Sequence, residues 1–187
     1  AEIVAGRGSF SEAFPLFGYD LSDYDELFDE KLALLLKIRD TQPVTWSGTF
    51  RAPLLNQAIY PRPLQSLLPI WVGVGGSPAS CERAGRLGLP LMIAIIGGQT
   101  KRFRSLVDQY QQTGHAHGHD PQQLKVGMHA LCYVEKDSQA AKERFYPGYA
   151  EVFTKIGKER GWPPVTRAHF DRQVDQSGAL LVGSPAE

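Results

Sequence analysis

The chain reads as an α/β protein built on a parallel sheet, and three observations predict it. Apolar stretches that end in glycine alternate with helical patterns along most of the sequence. Leu91–Ile96 is apolar at every position, as a parallel strand covered on both faces would be. The run from Ile70 to Gly98 reads strand, glycine turn, short helix, strand, glycine turn, which is one βαβ unit. The order is βα, irregular insert, βα, βα, βα, with about four main parallel strands. That set makes half of an eight-stranded (β/α) barrel or most of a small open sheet, in a single domain over residues 1–187.

The elements follow in order. Glu2–Ala5 is a strand that runs into the turn Gly6-Arg-Gly-Ser-Phe10, and 11–20 is an aromatic-rich loop. Asp23–Arg39 is a helix, because Tyr24, Leu27, Phe28, Leu34, Leu35 and Ile38 recur at steps of three and four, with Ser22 or Asp23 as its cap. Val44–Trp46, Ser47-Gly48 and Thr49-Phe50 suggest a small hairpin, and four prolines keep the remainder up to Pro69 out of helix. Ile70–Val74 is a strand, Pro78–Leu87 a helix, Leu91–Ile96 a strand and Thr100–Thr113 a helix that Gly114–Gly118 stops. Leu124–Val134 is the next strand. Ser138–Lys158 is a helix broken near Pro147-Gly148, and 161–177 is an irregular polar excursion. Gly178–Val182 leads into a helix announced by Ser184, Pro185 and Glu187. A chain that opens on a strand and stops on a helix start is expected to be a piece of a longer one.

Bulk composition narrows the function. Twenty basic and twenty acidic residues cancel, which leaves no electrostatic case for nucleic acid or an anionic membrane surface. No run approaches the ~18 consecutive apolar residues of a membrane span. Cys81 and Cys132 are far apart and are expected to be buried, reduced thiols of a cytoplasmic protein.

The site signals lie where strands give way to glycine. At Gly75-Gly-Ser-Pro-Ala-Ser80, Gly76 lets backbone approach an oxygen-rich group, Ser77 caps the helix or contacts a phosphate, and Ser80 adds a hydroxyl one turn on. An ordinary βα turn accounts for the same pattern equally well. In Gly6-Arg-Gly-Ser-Phe10, Arg7 can clamp a phosphate and Ser9 can add a hydroxyl, although a surface arginine in a turn reads the same way. Gly97-Gly98 repeats the theme on a neighbouring strand. His115, His117 and His119 fall among turn residues and read as a solvated loop, with no metal site. His129 lies in an apolar strand and reads as a hydrogen-bonded core residue. No Gly-x-Ser-x-Gly elbow, Walker motif or Cys/His pair is present.

Several pieces, in order, resemble the luciferase-like flavin monooxygenases. They are Glu2–Phe10, Leu16-Phe-Gly-Tyr-Asp20, Phe28-Asp-Glu-Lys-Leu32, Thr45-Trp-Ser-Gly48, Tyr60-Pro-Arg-Pro63 and Gly75-Gly-Ser-Pro78, followed by Gly88-Leu-Pro90, Ile96-Gly-Gly98 and Gly183-Ser-Pro185. The resemblance implies an incomplete (β/α)8 barrel, from the fourth strand to just before the eighth. It implies reduced FMN, or in some branches the deazaflavin F420, at the C-terminal rim. Arg7 and Ser9 would approach the flavin phosphate from one side and Gly76, Ser77 and Ser80 from the other, with Ile95 near the ring. Luciferase has an acidic residue where this chain has Gly76, which leaves backbone contact there. The resemblance further implies reaction with O2 on a small, aldehyde-like substrate, a flavin reductase partner and a homodimer. The histidine implicated as base lies on an early strand outside this sequence, so these residues alone are expected to be inactive. Two rivals remain: a non-catalytic flavin-binding barrel remnant, and a sugar-phosphate barrel enzyme, which would want a Lys or Glu beside the Gly-Gly turns.

Overall fold

A computed structural model describes every residue except Ser9 and Glu187. The elements are β1 (Ile3–Ala5), α1 (Ala13–Leu16), α2 (Tyr24–Asp40), β2 (Val44–Trp46), β3 (Leu54–Gln57), β4 (Ile70–Val74), α3 (Pro78–Leu87), β5 (Leu91–Ile95), α4 (Arg104–Ala116), β6 (Val126–Ala130), β7 (Cys132–Val134), α5 (Ser138–Arg160), α6 (Arg167–Val174) and β8 (Leu181–Gly183). The expected helix start at 184–187 ends on Glu187, outside the described residues.

The main sheet runs β1-β4-β5-β6, parallel throughout. Leu131 alone separates β6 from β7, and β8 pairs with β7 in parallel, its Leu181 N–H donating to Leu131 O at 2.9 Å. The stretch read as a lead-in is therefore a short fifth strand. Each parallel strand lies beside its predecessor and no order reversal occurs, which is barrel winding and not the doubly wound open sheet.

The helices pack on one face. Ile70, Val72 and Val74 of β4 and Leu91, Ile93 and Ile95 of β5 form one cluster with Leu32 of α2, Cys81 and Ala84 of α3, and Leu106 and Tyr110 of α4. Burying each large aliphatic side chain contributes about 1.5–3 kcal/mol. Strand periodicity sends Trp71, Gly73, Met92 and Ala94 to the opposite face, where they are only half-buried. Along Leu91–Ile95 the helix side is fully buried and the opposite side half-buried.

Several local readings are corrected. Val44–Trp46 pairs with β3, not with Thr49-Phe50, whose backbone N–H groups donate to the Glu30 carboxylate of α2. Asp23 occupies the N-cap position of α2 but makes no side-chain capping bond; Asp20 caps the single turn 21–23 before it, accepting from Ser22 N–H at 2.8 Å. The helix ends within Gly114–Gly118, at Ala116, but Gly114 itself lies inside α4, where a Cβ would stand 2.5 Å from Leu124 Cδ1, so glycine permits the contact. Pro147 does not break α5: one backbone donor is missing, but Phe145, Tyr149 and Phe153 hold the helix in an aromatic cluster with Phe170. The excursion after Gly161 contains α6, which Thr166 caps by accepting from His169 N–H at 3.2 Å. Cys132 is exposed, because the alternation of β7 turns Tyr133 inward instead.

Candidate functional site

The C-terminal ends of β1, β4 and β5 form one rim. The residue pairing Ala5↔Val72 brings the Gly6-Arg7 turn beside the Gly75-Gly76 turn, and a Cβ on Gly6 would stand 3.9 Å from Gly73 O. Gly76 has φ +129°, which favours glycine, and a Cβ there would meet nothing within 4 Å. The space in front of the turn is open. Among the described residues, the backbone N–H groups of Gly76 and Ser77 donate to no protein carbonyl. Ser77 is the N-cap of α3, its Oγ accepting from Ser80 N–H at 3.4 Å, and Pro78 occupies the first helical position. Two amides without a carbonyl partner and the positive end of a ten-residue helix therefore meet at this turn.

Arg7 stands at the same rim. Its Nη1 donates to Asp25 Oδ1 at 2.5 Å and its guanidinium lies 4.7 Å from the Tyr24 ring centroid. Tyr24 Oη donates to Gly8 O at 2.6 Å, which fastens the loop after β1 to the start of α2. Asp25 also accepts from Arg83 Nη2 at 3.4 Å, and Arg83 Nη1 reaches Ser80 Oγ at 3.5 Å. Arg83, only 8% exposed, also pairs with Asp29. This relay joins Arg7 to Ser80, so the structure brings Arg7, Gly76, Ser77 and Ser80 together. Ser80 is buried behind the turn, with its hydroxyl engaged by Arg83. Ser9 lies outside the described residues. Burial pushes the neighbouring Cys81 thiol up to about 11, which rules it out as a thiolate nucleophile near neutral pH.

Ile95 is placed differently from expectation. It shares its face with Leu91 and Ile93, is 3% exposed, and packs in the helix-side core. The strand repeat of two makes its neighbours Ala94 and Ile96 the residues that look the other way. They line a cavity of about 600 Å³ between the end of β5, α5 and α6, and Gly75 and Gly97-Gly98 share its wall. Gln173 of α6 ties that wall together by accepting from Gly98 N–H at 2.9 Å. Arg160 lies over both Phe10, from the loop after β1, and Trp162, which lines the cavity. His129 is exposed on β6, not a core residue; it is in register with Ala94, on the sheet face away from the helices.

The three clustered histidines diverge. His115 ends α4, His117 Nδ1 contacts Thr113 O and His119 Nε2 contacts Arg86 O, each at 2.9 Å. Sequence reasoning missed Tyr24, Asp25, Arg83 and all of the α6 wall. The available signals were a charged Arg83 on an otherwise small-residue face of α3, and Thr166 following Pro163-Pro164 and preceding Phe170 and Val174.

These rim residues fit the phosphate of a mononucleotide: open space, two unengaged amides, a helix start, and a guanidinium whose partner carboxylate is 59% exposed. The chain is 25% identical over 203 residues to the alkanal monooxygenase alpha chain of the Kryptophanaron alfredi symbiont, covering 97% of this chain and 56% of that protein. Among solved structures, monooxygenase RslO1 from Streptomyces bottropensis matches with a TM-score of 0.74 at 24% identity, over 97% of this chain and 53% of that one. An F420-dependent secondary alcohol dehydrogenase in complex with an F420-acetone adduct matches with a TM-score of 0.67 at 17% identity, over 96% and 56%. The oxygenating constituent of 3,6-diketocamphane monooxygenase from Pseudomonas putida, a type II Baeyer-Villiger monooxygenase in complex with FMN, matches at 0.64 and 18%, over 96% and 56%. At these identities the solved structures establish the fold, and the chain spans about half the length of each relative. The family model for luciferase-like monooxygenases matches residues 1–187, and the chain belongs to that family.

Proposed function

We propose that this chain supplies the phosphate-holding rim of a flavin site in an enzyme that uses reduced FMN and O2 to oxygenate a small, aldehyde-like organic substrate. The observation that carries this reading is one guanidinium and two unengaged backbone amides on adjacent parallel strand ends. When bound, reduced flavin supplies the electrons for the reaction with O2. The chain's own residues bind and orient. Arg7 balances the phosphate charge, the Gly76 and Ser77 amides donate to its oxygens, and α3 points its positive end at them. Asp25 holds the guanidinium at the rim and, being largely exposed, can yield to a dianion. Arg83 supports the arrangement from behind through Asp25, Asp29 and Ser80.

A homodimer and a flavin reductase as the source of reduced cofactor complete the proposal. Large apolar side chains at the surface, such as Leu16, Phe17 and Leu55, support self-association. Hydride transfer with F420 at the same rim is the second reading, in keeping with the F420-bound neighbour. The absorption spectrum of the cofactor that co-purifies with the full-length protein separates the two. FMN titration of the full-length protein tests the site itself. Arg7→Ala is expected to weaken binding by about tenfold or more, the loss of one charged hydrogen bond. Unchanged affinity removes Arg7 from the site and the phosphate reading with it.

A further inference from the structure

The cavity beside the rim is lined by basic side chains without acidic ones. Arg102, His169 and Arg172 line it, and no Asp or Glu does, in a chain whose acidic and basic residues balance. Six other arginines, Arg7, Arg39, Arg83, Arg104, Arg144 and Arg167, each meet a carboxylate, and Arg51 and Arg62 donate to backbone carbonyls. The two cavity arginines do not. Among the described residues the Arg172 guanidinium has no ion-pair or hydrogen-bond partner, and the Arg102 guanidinium lies over the Phe103 ring, 4.9 Å from its centroid, with no such partner. The remaining wall is aromatic and apolar, with Phe103, Phe153 and Trp162 prominent. A volume of about 600 Å³ falls within the range of small-molecule sites.

We propose that this cavity binds the substrate and that the substrate, besides the group that is oxygenated, bears a carboxylate on an apolar or aromatic body. Its carboxylate meets Arg102 and Arg172, and its body lies against Phe103, Phe153 and Trp162. Planar guanidinium groups suit a carboxylate, and aromatic walls reject a bare, fully hydrated anion. The role as substrate site rests on the flavin reading of the adjoining rim, because Gly75 belongs to both. Gln173, bonded to Gly98, holds the α6 side of the cavity against the end of β5 and so positions the pocket.

Calorimetric titration of the full-length protein with phenylacetate, its neutral isostere phenylacetamide and inorganic phosphate tests the proposal, with FMN titrated in parallel. Phenylacetate is expected to bind about tenfold or more tighter than phenylacetamide. The double variant Arg102→Gln, Arg172→Gln, in which both altered side chains are exposed, should abolish that preference while FMN affinity stays unchanged. Equal affinity for the two aromatic ligands, binding of neither, or a preference that survives the double variant overturns the assignment. So does phosphate binding as tightly as phenylacetate, which would mark an anion site without a place for the body, or loss of FMN binding in the double variant, which would assign the two arginines to the cofactor. If the carboxylate preference holds and the wild-type protein fails to bind FMN, the pocket chemistry stands and the flavin reading falls.

Discussion

Two clusters hold this protein together, and they are assembled by different rules. The first is aliphatic. Strand residues spaced by two and helix residues spaced by three or four bring Ile70, Val72, Leu91 and Ile93 against Cys81, Ala84 and Tyr110. The second is aromatic. Tyr133, Phe145, Tyr149 and Phe170 come from β7, α5 and α6, with ring centroids 5.5 to 6.3 Å apart. A helical step of four links only Phe145 and Tyr149; Tyr133 and Phe170 join them from separate elements, brought together where β8 returns the chain to pair with β7. The first cluster is scaffold. The second also works at the site, since Tyr149 and Phe153 line the cavity that Phe170 backs.

Substituting one buried residue in each cluster tests that division most strongly. Phe170→Ala removes a ring with no exposed surface and should cost about 3–5 kcal/mol. It should also weaken ligand binding in the cavity. Leu91→Ala should cost about 2–5 kcal/mol and leave the ligand affinity of the folded fraction unchanged. Urea melts paired with calorimetry read both effects. Intact cavity binding in Phe170→Ala would erase the functional distinction between the clusters.

A pH titration sharpens the scaffold side. Tyr110 Oη donates to Leu89 O at 2.9 Å, and burial pushes its hydroxyl from 10.0 up to about 12. The unfolded chain releases this proton near pH 10 and the folded chain only near 12. The contribution is therefore full below pH 10 and is lost as pH rises toward 12. Tyr110→Phe should lose about 1 kcal/mol at neutral pH and show a flatter alkaline decline of the urea midpoint. Parallel declines in the two proteins would remove Tyr110 as the cause.

The smallest expected effect concerns the aromatic side. Thr166→Ala removes the cap of α6 and should cost about 1 kcal/mol. Hydrogen exchange should localise that loss to α6 and β8, with β4 and β5 unaffected. Faster exchange across the whole sheet would mean that the two clusters open as one unit.

The scaffold was legible because its signals are local. Ile70–Val74, Pro78–Leu87 and the Ser77 cap stand where the pattern of apolar, glycine and capping residues put them. The rim was legible for the same reason, since Arg7 and the Gly75-Gly76 turn each follow a strand end, and neighbouring strands bring them together. Position within an element was harder to read. Ile95 faces the helices because a strand alternates, and an apolar stretch does not say which face a given residue takes. The hairpin partner of Val44–Trp46 was hidden because Glu30, on another helix, claims the backbone of Thr49 and Phe50.

By itself, the sequence determined the parallel strands, their glycine-ended turns and the helix start beside the Gly75-Gly76 turn, because these depend on neighbours within a few residues. Tertiary structure alone decided that Asp25 and Arg83 link Arg7 to Ser80, and that α6 closes an acid-free, aromatic-walled cavity beside them. Those relations join residues far apart in the chain, and they exist only once the packing of the sheet and its helices has brought them within reach.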